Sequence, residues 1–97
     1  MPKALIIVQL DVHDMDTYKT YTAQTPGVVE SFGGRFVVRG GRWETIEGDP
    51  PRSRVVVLEF PSFDRAKEFY NSAEYQKILP IRLGASTGSA YLVEAAE

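Results

Sequence analysis

Residues 4–12 read Ala4-Leu5-Ile6-Ile7-Val8-Gln9-Leu10-Asp11-Val12, and every even-numbered side chain among them is apolar. Successive side chains of a β-strand point to opposite faces. Ala4, Ile6, Val8, Leu10 and Val12 therefore form one buried face of a strand over residues 3–12. Leu5 and Ile7 make the opposite face apolar too, before Gln9 and Asp11 interrupt it. A sheet with one face in water alternates apolar with polar residues. This strand reads as buried on both sides, so both of its faces need a cover.

Outward from this strand, Asp14 stands where a helix N-cap belongs, and Asp16 follows in the first turn, where the positive end of the helix dipole favours a carboxylate. Tyr18, Tyr21, Thr22, Thr25, Val28, Val29 and Phe32 recur at three-to-four spacing as far as Gly33-Gly34, which can take the left-handed conformation that stops a helix. Pro26 is expected to kink or break this helix partway. Arg35 to Glu47 alternates as a second strand, with Gly40-Gly41 as a bulge or bend inside it. Gly48-Asp49-Pro50-Pro51 is a turn, and Arg54 to Phe60 is a third strand that forms a hairpin with the second. Ser62 caps a second helix with Phe63, Ala66, Phe69 and Tyr70 on one stripe, and Ser72 caps a short helical piece through Tyr75, Ile78 and Leu79. Pro80 is expected to start a turn, and Ser89 to Glu94 to form the last strand.

The order β, α, β, β, α, β specifies one α+β domain over residues 1–97, of the ferredoxin-like βαββαβ type. Each half is a strand, a crossover helix and a strand, so a four-stranded antiparallel sheet with two helices on one side follows. The even face collects Ala4, Ile6, Val8, Leu10, Phe36, Val38, Val56, Leu58 and Phe60, a layer suited to receive the helices. The odd face shows Leu5, Ile7, Val37, Val55, Val57, Tyr91 and Val93. Two helices cannot cover both sides of one sheet. The second cover is expected to be the same face of another copy, giving a homodimer that closes an α+β barrel. Size points the same way, because a domain this short buries only roughly two thirds of its unfolded surface.

Eleven Lys and Arg against thirteen Asp and Glu leave a net charge of -2, which gives no electrostatic reason to expect nucleic acid or an anionic membrane as partner. The third strand, Arg54-Val55-Val56-Val57-Leu58-Glu59-Phe60, also lacks the glycine-aromatic pattern with which RNA-recognition domains of this topology stack bases. The absence of cysteine excludes disulfides, iron-sulfur clusters, thiolate zinc sites and cysteine nucleophiles. Met1-Pro2-Lys3 before Ala4 to Val8 is too short and too soon interrupted for a signal peptide, so a cytoplasmic protein is expected.

Several motifs together resemble a known family. Val12-His13-Asp14 is followed by Tyr18 and Tyr21, then by Phe32-Gly33-Gly34-Arg35, Val38-Arg39-Gly40-Gly41 and Glu47-Gly48. Val55-Val56-Val57-Leu58-Glu59-Phe60-Pro61 comes next, then Tyr70, Ser72, Tyr75 and Arg82. In this order they resemble the domain of unknown function 1330 family, within the dimeric α+β barrel superfamily. The resemblance implies a ferredoxin-like monomer whose sheet packs on its twin, and it implies no established activity.

Asp11, Arg39 and Glu59 are the ionisable residues among the aliphatics of the odd face, where a charge is costly unless paired or used. In the functional reading Arg39 anchors a carboxylate or enolate, and Glu59 or Asp11 serves as a base whose pKa burial raises. In the structural reading the same three are ion pairs or strand-end charges reaching water. Tyr18, Tyr21, Tyr70 and Tyr75, with Trp43, either line a pocket between helices and sheet or are simply packed there. Arg82 either aims at that cavity or satisfies carbonyls at a helix end.

Asp11, His13, Asp14 and Asp16 lack the glycine and distal glutamate of a calcium loop, and one histidine makes a poor zinc site, so no metal is expected. A serine triad would need His13 as its base, and no Gly-x-Ser-x-Gly elbow exists. Gly33-Gly34 ends a helix and Gly40-Gly41 interrupts a strand, whereas phosphate cradles open helices, so no cofactor is expected. The expected function is a small-molecule pocket in each subunit of a homodimer, taking an organic acid or enolisable compound, as a cofactor-independent enzyme moving protons or oxygen. The alternative is a non-catalytic dimer that binds a metabolite or a partner protein through the same cavity.

Overall fold

The computed structural model describes residues 2–96. Its elements are β1 (Ala4–Val12), α1 (Met15–Thr22), α2 (Thr25–Ser31), β2 (Arg35–Arg39), β3 (Arg54–Phe60), α3 (Phe63–Asn71), α4 (Ala73–Ala85) and β4 (Ser86–Glu94). The strands form one antiparallel sheet in the order β2-β3-β1-β4, the ferredoxin-like α+β arrangement. Among the described residues no helix is long and apolar enough to cross a membrane.

Both ends of the first helical segment obey local chemistry. The Asp14 carboxylate accepts from Thr17 N at 3.1 Å and from the Thr17 hydroxyl at 2.7 Å, which satisfies the start of α1. The helix then breaks at Ala23 and Gln24, and Pro26 sits in the first turn of α2, where its missing N–H is no loss. Gly33, at φ 78°, ends α2: Gly34 N donates to Val29 O at 3.0 Å and Gly33 N to Glu30 O at 2.9 Å, the paired closure of a Schellman stop.

Several expectations need correction. The second strand ends at Arg39 instead of running to Glu47, and residues 40–53 form an exposed loop. The strand's irregularity falls between Phe36 and Val38, not at Gly40-Gly41, and it shifts the register so that Val38 pairs with Val57 and Arg39 with Val56. One extra residue reverses which face each later side chain occupies. Arg39 therefore lies on the even, helix-facing side and Val38 on the odd side, the reverse of simple alternation. Finally, Pro80 stands inside α4, which continues to Ala85, and β4 begins directly at Ser86. Tyr75, Ile78, Leu79, Arg82 and Ala85 keep a helical period across the proline, and all five are buried. Burial along that stripe outweighs the one backbone donor that proline removes.

The helices lie on the even face. Ala4, Ile6, Leu10, Leu58 and Phe60 from the sheet meet Val29, Ala66, Phe69 and Ile78 from the helices, and the Phe60 and Phe69 ring centroids are 4.9 Å apart. No helix among the described residues lies on the odd face. Leu5, Ile7, Val38, Val55 and Val57 are half-buried there, while Tyr91 and Val93 are 52% and 45% exposed. The result is a two-layer slab whose Cα atoms span 35 × 34 × 17 Å.

Candidate functional site

Tyr18 and Tyr21 are one helical turn apart on α1, so both rings face the sheet, with centroids 5.7 Å apart. The Ser72 hydroxyl accepts from Tyr75 N at 3.1 Å, which fixes Tyr75 in the first turn of α4. Arg82 follows seven residues later, two turns along the same face. From the sheet, the register shift in β2 turns Arg39 toward the helices, and Arg54 shares the even face with Leu10, its partner across β1 and β3. Gly40, at φ 68°, takes a backbone conformation that favours glycine, and its missing Cβ leaves room for the Arg54 guanidinium.

These side chains surround a cavity between the helical layer and the sheet, closed on its apolar side by Val8, Val56, Leu58 and Phe69. Its free volume is about 30 Å³, room for roughly two water-sized groups. Tyr21 and Tyr75 share a hydroxyl–hydroxyl hydrogen bond of 2.7 Å inside it. Arg54 Nε donates to the Tyr18 hydroxyl at 3.2 Å, and Arg39 Nη2 donates to Thr22 O at 3.2 Å while its guanidinium carbon stands 4.4 Å from the centre of the Phe36 ring. Arg82 is 5% exposed, and its Nε is buried without a hydrogen-bond partner among the described residues. Arg39 is exposed, so positive charge runs from the closed end of the cavity to its mouth.

Every ionisable side chain around the cavity is an arginine or a tyrosine. The ion pairs among the described residues are Lys3–Glu59, Arg35–Glu59, Arg52–Asp11 and Arg65–Glu68, so none of Arg39, Arg54 and Arg82 has a carboxylate partner. Burial, reinforced by the neighbouring Tyr75, pushes the Tyr21 hydroxyl far above its usual pKa. Burial also raises that of Tyr75, with the Arg82 guanidinium offsetting part of the rise. Both tyrosines remain protonated near neutral pH, which makes them hydrogen-bond donors and not bases.

The structure brings Arg39, Tyr18, Tyr21, Tyr70, Tyr75 and Arg82 to one cavity. It does not bring Glu59, Asp11 or Trp43 there. Glu59 lies across the sheet from Arg39, opposite Arg35, and the Arg35 hydrogen bond at 3.0 Å, with Lys3 at 3.4 Å, holds its carboxyl below the ordinary range. Asp11 accepts from Ser53 N at 3.0 Å, the Ser53 hydroxyl at 2.7 Å and Arg52 Nη1 at 2.7 Å, and these contacts lower its pKa to about 2. Carboxylates so stabilised as anions are weak bases. Trp43 sits in the loop after β2, 40% exposed, with Nε1 donating to Ser53 O at 2.9 Å. Arg54 was the residue missed, although its even position in the third strand already placed it beside Val56 and Leu58.

Several solved structures share this architecture. A protein of unknown function from Rhodopseudomonas palustris, RPA0582, superposes with a TM-score of 0.79 at 15% identity, over 99% of this chain and 84% of its own. SnoaB, a cofactor-independent oxygenase from Streptomyces nogalater, superposes at 0.64 with 12% identity over 100% and 96%. A dimeric protein of unknown function and ferredoxin-like fold from Bacteroides fragilis gives 0.55 with 11% identity over 96% of each chain. At these identities the likeness is one of fold. No curated protein matches the chain at a significant level. The family, in contrast, is fixed by the sequence pattern itself, which fits from the first residues of β1 to the end of the described chain: over residues 3–96 the chain belongs to the domain of unknown function family DUF1330.

Proposed function

We propose that the chain acts as a cytoplasmic homodimer, two sheets closed face to face into an α+β barrel, with one small-molecule pocket in each protomer for an organic acid or enolisable compound. The observation that carries this is the cavity where Arg39, Arg54 and Arg82 meet a wall of tyrosines with no carboxylate among them. An apolar pocket with a few convergent polar groups is what a small ligand needs, and a guanidinium matches the geometry of a carboxylate.

The dimer rests on the open sheet face. The accessible surface of 6085 Å² exceeds the roughly 5500 Å² of a compact monomer of this size. An apolar face of this kind is stabilised by burial against its own copy. The dimeric ferredoxin-like protein from Bacteroides fragilis is in keeping with such pairing. SnoaB, a cofactor-independent oxygenase on the same fold, makes proton or oxygen transfer without a cofactor the enzymatic form of this function, by analogy of fold alone. One observation favours the non-catalytic form, a metabolite-binding dimer: the cavity walls offer neither carboxylate nor imidazole as a general base.

Sedimentation at micromolar concentration, together with thermal shift against a panel of small carboxylates and aromatic acids, tests both halves. A two-chain particle is expected, and a ligand at one hundred times its dissociation constant should add about 2.7 kcal/mol. A stable single chain would remove the barrel. A panel without any response would remove the pocket.

A further inference from the structure

Among the described residues Arg82 is a buried charge without a carboxylate partner, set against the Tyr75 hydroxyl. A guanidinium does not lose its proton in a protein, so this buried side chain is a cation, and its Nε has no acceptor among the described residues. Its place in the last turn of α4 lets the negative end of the helix dipole offset part of that charge. The rest faces the cavity, where the groups around it are Tyr75 on its own helix, Tyr18 and Tyr21 on α1, Tyr70 on α3, Arg54 on β3 and Arg39 on β2. All of these are cationic or neutral: the tyrosine hydroxyls can accept a hydrogen bond, as Tyr18 does from Arg54, but none supplies a negative charge.

The hydroxyl pair beside it is incomplete in the same sense. Two hydroxyls carry two protons, and the Tyr21–Tyr75 hydrogen bond uses one of them. The other is free to donate. The free volume of about 30 Å³ suits an anionic head of two or three heavy atoms, leaving the body of the molecule in the mouth near Arg39.

Resting on the pocket reading above, we propose that this cavity takes its ligand as an already ionised organic oxyanion, a carboxylate or an ionised enol or phenol, with Arg82 as charge partner and the Tyr21–Tyr75 pair as hydrogen-bond donor. The pocket stabilises an anion and has no group with which to create one. Any reaction on it must start from the ligand's own charge, as a delocalised carbanion or phenolate would allow.

4-Nitrophenol is a suitable probe because its neutral and ionised forms absorb differently in the visible. Bound to the full-length chain it should ionise more readily, its acid constant rising at least tenfold, and benzoate should raise the melting temperature where benzamide does not. Arg82→Met should abolish both effects, and the double variant Tyr21→Phe/Tyr75→Phe should weaken binding by roughly tenfold. Arg82→Met removes an unpaired buried charge while keeping an apolar stem, so the ligand-free melting temperature should hold or rise. If 4-nitrophenol binds with its acid constant unchanged or lowered, the pocket stands and the anion inference falls. If Arg82→Met melts far lower yet binds the probe as before, Arg82 is structural and the inference also falls. If neither 4-nitrophenol, benzoate nor benzamide binds, the pocket reading itself has failed. Should Arg82→Met not fold, the double variant Tyr21→Phe/Tyr75→Phe carries the test, because either hydroxyl alone keeps a proton to donate: unchanged affinity for benzoate overturns the hydroxyl donor.

Discussion

The two faces of the one sheet solve the same problem in opposite ways. On the odd face each ionised carboxylate has found its cation: Glu59 lies between Arg35 and Lys3, and Asp11 holds Arg52 and Ser53. On the even face Arg39, Arg54 and Arg82 converge without a carboxylate, and the most buried of them keeps an unpartnered nitrogen. The odd face is therefore electrically complete and short of apolar cover, whereas the even face has its apolar cover and is short of negative charge. The proposed homodimer would fill the first deficit with a second sheet, and the proposed ligand would fill the second with a small anion.

Truncating the covered side should do the greatest damage. Phe69→Ala removes a fully buried ring stacked against Phe60 and Tyr75, at 4.9 and 4.5 Å between centroids, and should cost about 3–5 kcal/mol in urea unfolding at fixed chain concentration. A polar change on the open side should act on assembly instead. Ile7→Asp puts a charge at the centre of the proposed interface, facing Val57 and Tyr91 across the strands. It should raise the dimer dissociation constant at least a hundredfold by sedimentation, with the circular dichroism of the folded chain retained. An unchanged constant would place the interface elsewhere.

The smallest effect belongs to the ion pairs that complete the odd face. The folded-state pKa of Asp11 is lowered to about 2, below its ordinary 3.8. Its contribution is therefore fully present above that ordinary value and is lost as pH falls toward about 2. Asp11→Asn should lower the melting temperature slightly at pH 7, and the gap from the parent chain should close near pH 2. A gap that persisted in strong acid would mean that the carboxylate charge is not what holds Arg52 and Ser53.

Much of the fold was legible because its signals are local. Asp14, Ser62 and Ser72 stand at the helix starts that their hydroxyl or carboxylate oxygens cap. Gly33 stops α2 because its backbone enters a region that side chains avoid. The alternation in β1 and β3 placed their even residues under the helices, and most of the cavity tyrosines follow from helical spacing alone. Where reading failed, the deciding interaction lay outside the local window. Pro80 looked like a stop, yet the buried stripe from Tyr75 to Ala85 carries the helix through it. That continuation delivers Arg82 to the cavity. The β2 register shift, invisible in a run of Phe36-Val37-Val38-Arg39, moved Arg39 away from Glu59 and toward Thr22.

Periodicity and capping are properties of neighbours along the chain, so the sequence by itself determined the order of elements, the two apolar faces and the membership of most side chains in the core. Apart from Arg65 and Glu68, three apart on one helix, the tertiary structure alone decided which charges meet. A one-residue change of register reverses the side of a sheet on which a charge stands, and pairing acts through space between residues as far apart as Arg35 and Glu59 or Tyr21 and Tyr75. No local pattern encodes those distances.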